Sequence, residues 1–453
     1  MREEFRILAP TAILGYGFPV SSFEAGMARD PHLIAVDAGS TDPGPYYLGA
    51  GVSFTDRDAV RRDLEIMILA GFARKIPIVI GSAGGCGGDS HLTWCREIVE
   101  EIAREHSLPL KLALIGSQLD HGLLQGELER GNITPLEPAP PLTAGDLAAT
   151  TNVVAQMGVE PFIKAFSGEP DVIIAGRAYD PTCFAALPIL RGYDEALSLH
   201  LGKILECASI AATPGSGSDC MIGYIGAGYF RVEPLNPIRK CTTLSVAAHT
   251  LYEKSNPYIL PGPGGHLDLT ACQFVQETDS AVRVTGTKFV PSESYTVKLE
   301  GAKPIGYRTV SIAGVRDPIM IGQIDEIVEA VRERVADNFK ELDFNYHLHV
   351  HLYGKNGVMA NLEPTPTTEG VHELGIIIEA AAPTQAIADT ICAFARSTML
   401  HYGYPGRRAT AGNLAFPYSP SDFQGGAVYA FSVYHLLHTS DPAALFPVTY
   451  VQL

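Results

Sequence analysis

Along the first 180 positions, runs of consecutive apolar residues recur, and each ends in a short cluster of Gly with Asp, Ser, Gln or Arg. The runs show no polar–apolar alternation, which predicts strands covered on both faces. Strands are expected at Phe5–Leu8 or Ala12–Gly15, Leu33–Val36, Ile76–Ile80, Lys111–Ile115 and Asp171–Ala175. Amphipathic stretches between and after them predict helices over Asp56–Lys75, His91–His106, Asp146–Met157 and Pro181–Leu190. Alternating strands and helices imply an α/β fold with an N-terminal parallel sheet flanked by helices. After about residue 205 the texture changes to Gly/Pro-rich segments and strands without regular helices, such as AVRVTGTKFV and YTVKLEGA. A helix at Ile324–Phe339, a His-bearing strand near 346–353, an apolar run at 373–382 and a helix at Thr384–Leu400 complete a C-terminal α+β pattern. The expected division is residues 1–220, carrying the ligand cleft, and 221–453.

In parallel sheets ligands sit outside the carboxyl ends of the strands. There the chain reads GYGFP, DAGSTD, GSAGG, GSQLDHG and GRAYDP. The candidate binding groups at this edge are Ser40, Gly81, Ser82, Gly84, Gly85, Gln118 and Arg177, with Asp37 and Asp180 as candidate proton-transfer groups. An arginine clamps a carboxylate bidentately, and glycines ahead of a helix bring free N–H groups close to an anion. The loop GSAGGCGGDS lacks the Lys-Ser/Thr ending of a phosphate loop and fits the dinucleotide spacing poorly, so no nucleotide fingerprint is present. Cys86, within that loop, reads as a small filler rather than an activated thiolate, because no partnering base is evident.

Net charge of −17 argues against nucleic acid and anionic membranes as partners, though not against a small anionic substrate. The eight cysteines form no CxxC pair, which suits reduced thiols in a cytoplasmic protein. Neither a signal-peptide pattern nor an apolar run of membrane length occurs, so no membrane association is expected. His347, His349 and His351 share one strand face and could ligate a metal, but an exposed or interface face is the better reading. Further candidates are His249 and, on turns, His266 in PGPGGHLDLT, Lys298 in YTVKLEGA and Arg316 in GVRDP.

The strings GSAGGCGGDSHL, GRAYDP, RKCTTLSVAAHTLYEKSNPY, GPGGHLDLT, YTVKLEGA, GVRDP, YGKNGVM and NLAFPYSPSD together resemble the acyclic terpene utilisation (AtuA-like) family, from about residue 10 to 435. The resemblance implies catabolism of branched terpenoid acids as CoA thioesters and a separate small subunit. It carries no agreed catalytic set. With homo-oligomerisation also expected, the leading expectation is a lyase, a hydratase or dehydratase acting on a small hydroxy-carboxylic acid or its CoA thioester. In it Arg177 and the Gly81–Gly85 amides hold the carboxylate, Asp37 or Asp180 moves the α-proton, and His249 or His266 protonates the departing hydroxyl. Lys298 and Arg316 would add positive charge. A divalent metal is left open as cofactor. The alternatives are a retro-aldol hydroxyacyl-CoA lyase and a non-catalytic metabolite-binding subunit of a hetero-oligomer.

Overall fold

A computed structural model describes residues 3–365 and 370–453. The expected strands form at Phe5–Ala9, Leu33–Asp37, Ile78–Gly81, Lys111–Ile115 and Val172–Ala175, and all five run parallel. Of the two alternatives for the first strand, Phe5–Leu8 forms and Ala12–Gly15 is turn. Val172–Ala175 inserts between Ile78–Gly81 and Lys111–Ile115.

The sheet does not stop there. Antiparallel strands extend both edges to ten strands, so it is mixed rather than purely parallel. Met221–Gly226 pairs with Phe5–Ala9, followed outward by Tyr229–Pro234, Val282–Thr285 and Gln273–Gln276. At the far edge Val448–Gln452 pairs with Lys111–Ile115.

Strand pleating sends successive side chains to opposite faces, and both faces are apolar here. Ile34, Val36, Ile78, Ile80 and Ile174 join a core with Val60, Leu64 and Ile98 from the helices Arg57–Arg74 and Asp89–Glu105. Leu33, Ala35, Val79, Ile173 and Ala175 face the other way, into a core with Phe162, Phe184 and Leu201. Those residues come from the helices Glu160–Phe166, Thr182–Leu190 and Glu195–Leu205. The segment expected to be helical over Asp146–Met157 is corrected. A short helix, Ala144–Ala149, gives way to the strand Asn152–Ala155, which pairs with Leu299–Ala302. The run Thr150-Thr151-Asn152-Val153-Val154 is poor in helix formers and four of its members are β-branched.

The chain divides into two compact units. One comprises residues up to Lys303 together with Phe431–Leu453, and the other is Pro304–Ala430. The division thus falls elsewhere than at 220, because Met221–Gly226 and the C-terminal strand both complete the N-terminal sheet. A three-stranded sheet of Ile259–Gly262, Gly265–Asp268 and Lys288–Pro291 also belongs to the larger unit. In the smaller unit Leu374–Ala382 pairs antiparallel with both Tyr307–Val315 and His347–Tyr353. Ile324–Phe339 and Gln385–His401 cover its apolar side through Val331, Val335, Ile391 and Ala395. Leu348, Val350 and Leu352 pack against that core, leaving the three histidines on the opposite side, where His351 Nε2 lies 3.1 Å from Glu379 Oε2. No described helix is long and apolar enough to cross a membrane.

Candidate functional site

At the carboxyl end of the parallel strands, the loops following three of them are laced together by backbone. Ser82 N donates to Gly176 O at 3.1 Å, Ala83 N to Ala175 O at 2.9 Å and Ala38 N to Gly81 O at 2.9 Å. This brings Asp37, Ser82 and Arg177 to one place. Ser82 is fully buried with φ +47°, a conformation that a non-glycine residue holds only where its surroundings enforce it. Its Oγ accepts from Arg177 Nη1 and from Ala178 N, both at 3.3 Å.

The centre of charge is a residue that sequence reasoning missed. Glu300, 1 % exposed, accepts Arg177 Nε at 2.7 Å on Oε2, and on Oε1 it meets Thr41 Oγ1 at 2.9 Å and Lys298 Nζ at 2.8 Å. Burial alone would raise its pKa, but Arg177 and then Lys298 outweigh that and hold the carboxyl down at about 2. The internal carboxylate of Glu300 therefore takes the Nε edge of Arg177 that a ligand was expected to occupy. Arg177 Nη1 reaches Asp180 at 3.2 Å, while Nη2 makes no hydrogen bond to a described residue.

Asp37 ends its strand opposite Gly81 and is buried. Its Oδ2 accepts from Gly39 N at 3.2 Å, but Oδ1 has no hydrogen-bond partner. Burial, reinforced by the charge of Asp180 and opposed by Arg177, pushes its pKa well above the usual carboxylate range. Gly81 is needed here: a Cβ at that position would lie 3.1 Å from Asp37 Oδ1 and 3.2 Å from Cys183 Sγ.

The same Asp180 charge acts on a second group of residues. Lys203, on the helix Glu195–Leu205, hydrogen-bonds Glu206, and both are at most 5 % exposed. Burial pushes Glu206 up to about 8 against the pull of Lys203. Three buried polar atoms in this half lack a hydrogen-bond partner: Glu206 Oε2, Tyr179 Oη and His249 Nε2. His249 stacks on Tyr252 at 5.4 Å, and burial with the nearby Lys203 lowers it to about 4, so it is neutral at pH 7. Buried polar atoms are normally satisfied. With Asp37 Oδ1, four such atoms fall in these two groups of residues, which makes them the candidate site.

Tyr179 also walls a cavity of about 220 Å³, lined further by Glu160, Glu195, His266, Phe289 and Tyr295. Tyr295 Oη donates to Glu160 Oε2 at 2.8 Å, and burial raises Glu195, with Glu160 adding to the effect. His266 lies at this cavity, whereas His249 lies with Lys203 and Tyr252.

Other candidates have different duties. Gly84 and Gly85 have φ +61° and +91°, and a Cβ at either would strike His91 at 2.8 Å or Phe54 at 2.6 Å. They serve close packing, and Gly81 through Gly88 are all buried. Gln118 Oε1 accepts from Asp89 N at 3.0 Å, so the start of the following helix is capped internally instead of facing an anion. Ser40 Oγ donates to Asp42 at 2.7 Å. Lys298 lies with its Nζ 4.4 Å from the Tyr434 ring centre. Arg316 is exposed and belongs to the other unit. Cys86 is buried, and burial raises its thiol to about 12, which leaves it a filler. Exposed Glu105 and His106 meet Glu65 within metal-binding reach, but Arg61 pairs with both carboxylates, so the group reads as a solvated ion-pair patch.

The interlocking of these loops gives a direct test. Gly87 has φ +69°, and a Cβ there would fall 2.0 Å from Arg177 N. Ser117 Oγ bridges the two loops, donating to Gly87 O at 2.7 Å and accepting from Arg177 N at 2.6 Å. Gly87→Ala combines overpacking with a disfavoured φ and is expected to lower unfolding free energy by roughly 3 kcal/mol. Urea denaturation checks it, and an unchanged midpoint would contradict the close approach.

Fold and site together define a mixed α/β protein with a buried acid–base cluster at its parallel strand ends. The chain matches the model of the family described as acyclic terpene utilisation family protein AtuA over residues 58–219 and 238–419, and it belongs to that family. The family description ties it to a catabolic role. The matched segments include Arg177, Asp180, Lys203, Glu206, Lys254 and Glu300, while Asp37 lies outside them. No match was found among curated proteins or among solved structures.

Proposed function

We propose that this protein is a lyase that adds or removes water on a small hydroxy-carboxylic acid or its CoA thioester. One observation carries the reading: Asp37, a buried carboxyl with a raised pKa, has an unpartnered oxygen in the same loop cluster as Arg177. A carboxyl poised toward neutrality is suited to exchanging a proton with substrate carbon or oxygen. In the proposed reaction Arg177 Nη2 meets the substrate's negative end, and Asp37 Oδ1 takes the proton α to the carbonyl. The electron pair left on carbon moves to form the double bond as the β-hydroxyl departs. Glu206, whose hold on its proton burial strengthens, supplies the proton that turns that hydroxyl into water. In this scheme Tyr179 Oη, which has no internal partner, hydrogen-bonds the developing oxyanion.

Incubation with a panel of hydroxy acids and their thioesters in deuterated water tests this directly. Solvent deuterium is expected at the α-carbon, together with formation of an unsaturated product. Failure of every panel member to exchange, in protein shown to be folded, would remove the hydro-lyase reading.

A further inference from the structure

We propose that Lys254 is an imine-forming amine, so that the substrate carries a ketone or aldehyde group in addition to its acid group. This deepens the reading above and rests on it only for the acid end at Arg177. The side chain of Lys254 is half-buried and its Nζ lies 5.6 Å from the ring centre of Tyr179. Among the described residues that Nζ has no hydrogen bond and no ion pair, although Glu206 and Asp180 are close enough to influence it. The neighbouring ammonium, Lys203, is instead tied directly to Glu206. The turn that presents Lys254 is itself unusual, since Glu253 before it holds φ +60°, a strained conformation for a non-glycine residue. An amine with no direct ion pair, near the Lys203 ammonium, is the arrangement that activates a lysine toward carbonyl carbon, with Glu206, Asp180 and Glu253 acting in the opposite sense. The electrostatics agree: burial, with Lys203 adding to it, lowers the pKa of Lys254.

The side chains of this cluster supply the protons for the step. The Nζ lone pair adds to the carbonyl carbon while the C=O π pair moves to oxygen, giving a carbinolamine after proton transfer from nitrogen to oxygen. A proton from Glu206 then lets that oxygen leave as water, and the nitrogen lone pair closes the C=N+ bond. The resulting iminium accepts the electron pair released when the adjacent C–H bond gives its proton to Asp37, and Glu206, reprotonated from solvent, then protonates the β-hydroxyl as it leaves as water. It equally serves cleavage of a C–C bond next to a hydroxyl. Hydrolysis of the imine returns the amine.

Sodium borohydride reduction of the purified full chain with pyruvate, acetoacetate or acetone, one at a time, tests the proposal. One stable reduced adduct per chain is expected, mapped to the peptide containing Lys254. It should be lost in Lys254→Arg, which keeps the charge and whose folding is checked by circular dichroism. Trapping should reach half its maximal rate below the value of about 10 that an ordinary lysine requires. No adduct with any of the three probes, or an adduct that persists in Lys254→Arg, overturns the proposal. Deuterium exchange without trapping would sink the imine and leave the hydro-lyase, whereas trapping without exchange would do the reverse.

Discussion

Arg177→Met is expected to lower the free energy of unfolding by about 3–5 kcal/mol, the range for removing one partner of a buried ion pair. Arg177 is 3 % exposed; it ties its own loop to two segments far apart in sequence through Glu300 and Ser82, and pairs locally with Asp180. Methionine matches part of its volume but leaves the carboxylate of Glu300 with only Lys298 and Thr41. Glu300 also sets the acid limit. Its folded pKa, near 2, lies below the ordinary glutamate value of about 4.3, so the folded state binds fewer protons than the unfolded state between the two. The associated stability is fully present above about pH 5 and is lost as pH falls through about 2, amounting to about 3 kcal/mol. In Arg177→Met, with that depression relieved, the loss should begin at higher pH. Adding Glu300→Gln should return part of the stability, because the stranded charge is then gone. Urea titrations of the four proteins of this cycle, at pH 7, pH 4 and about pH 2.5, follow these effects. A loss below about 1 kcal/mol for Arg177→Met would mean that the pair is solvated and not the centre of the site.

Asp37→Asn is expected to separate stability from function. The folded pKa of Asp37 is raised, so its contribution to stability is fully present below the unfolded value of about 3.9 and is lost as pH rises through the folded value. Asparagine keeps the shape and cannot ionise. The variant should therefore gain on the parent protein as pH increases, with the difference largest on the alkaline side. Turnover should fall by about 10²–10⁴-fold, the usual range for removing a general acid–base group. Thermal unfolding from pH 5 to 9, alongside the deuterium-exchange assay, reads both halves. A variant that loses stability at alkaline pH would show that Asp37 is ionised and structurally paired, contrary to the reading above.

The two clusters were legible in the sequence to different degrees. Asp37, Ser82, Arg177 and Asp180 stand at strand ends, and strands reveal themselves locally through uninterrupted apolar runs. Glu300 was hidden because its partner lies 123 residues away in sequence. Its trace is the alternation in YTVKLEGA, where Lys298 and Glu300 share one face of a strand. Lys203 and Glu206 left a plainer signal: two charges closing a helix whose residues from Ala196 to Leu205 are all buried. Buried charges are uncommon unless paired or functional. The glycine loop pointed to the right region for a different reason, since its glycines let backbones pack against Arg177, His91 and Phe54 rather than open a cradle.

The chain by itself determined the five parallel strands, the long amphipathic helices and the family. Each rests on local periodicity or on contiguous strings that no distant contact alters. Tertiary structure alone decided that the sheet continues antiparallel at both edges, that the compact units part at Lys303 and Ala430, and that Arg177 is answered by Glu300. Pairing partners and charge neighbours are set by which distant segments meet, and burial then decides which of the ionisable groups keep their ordinary protonation.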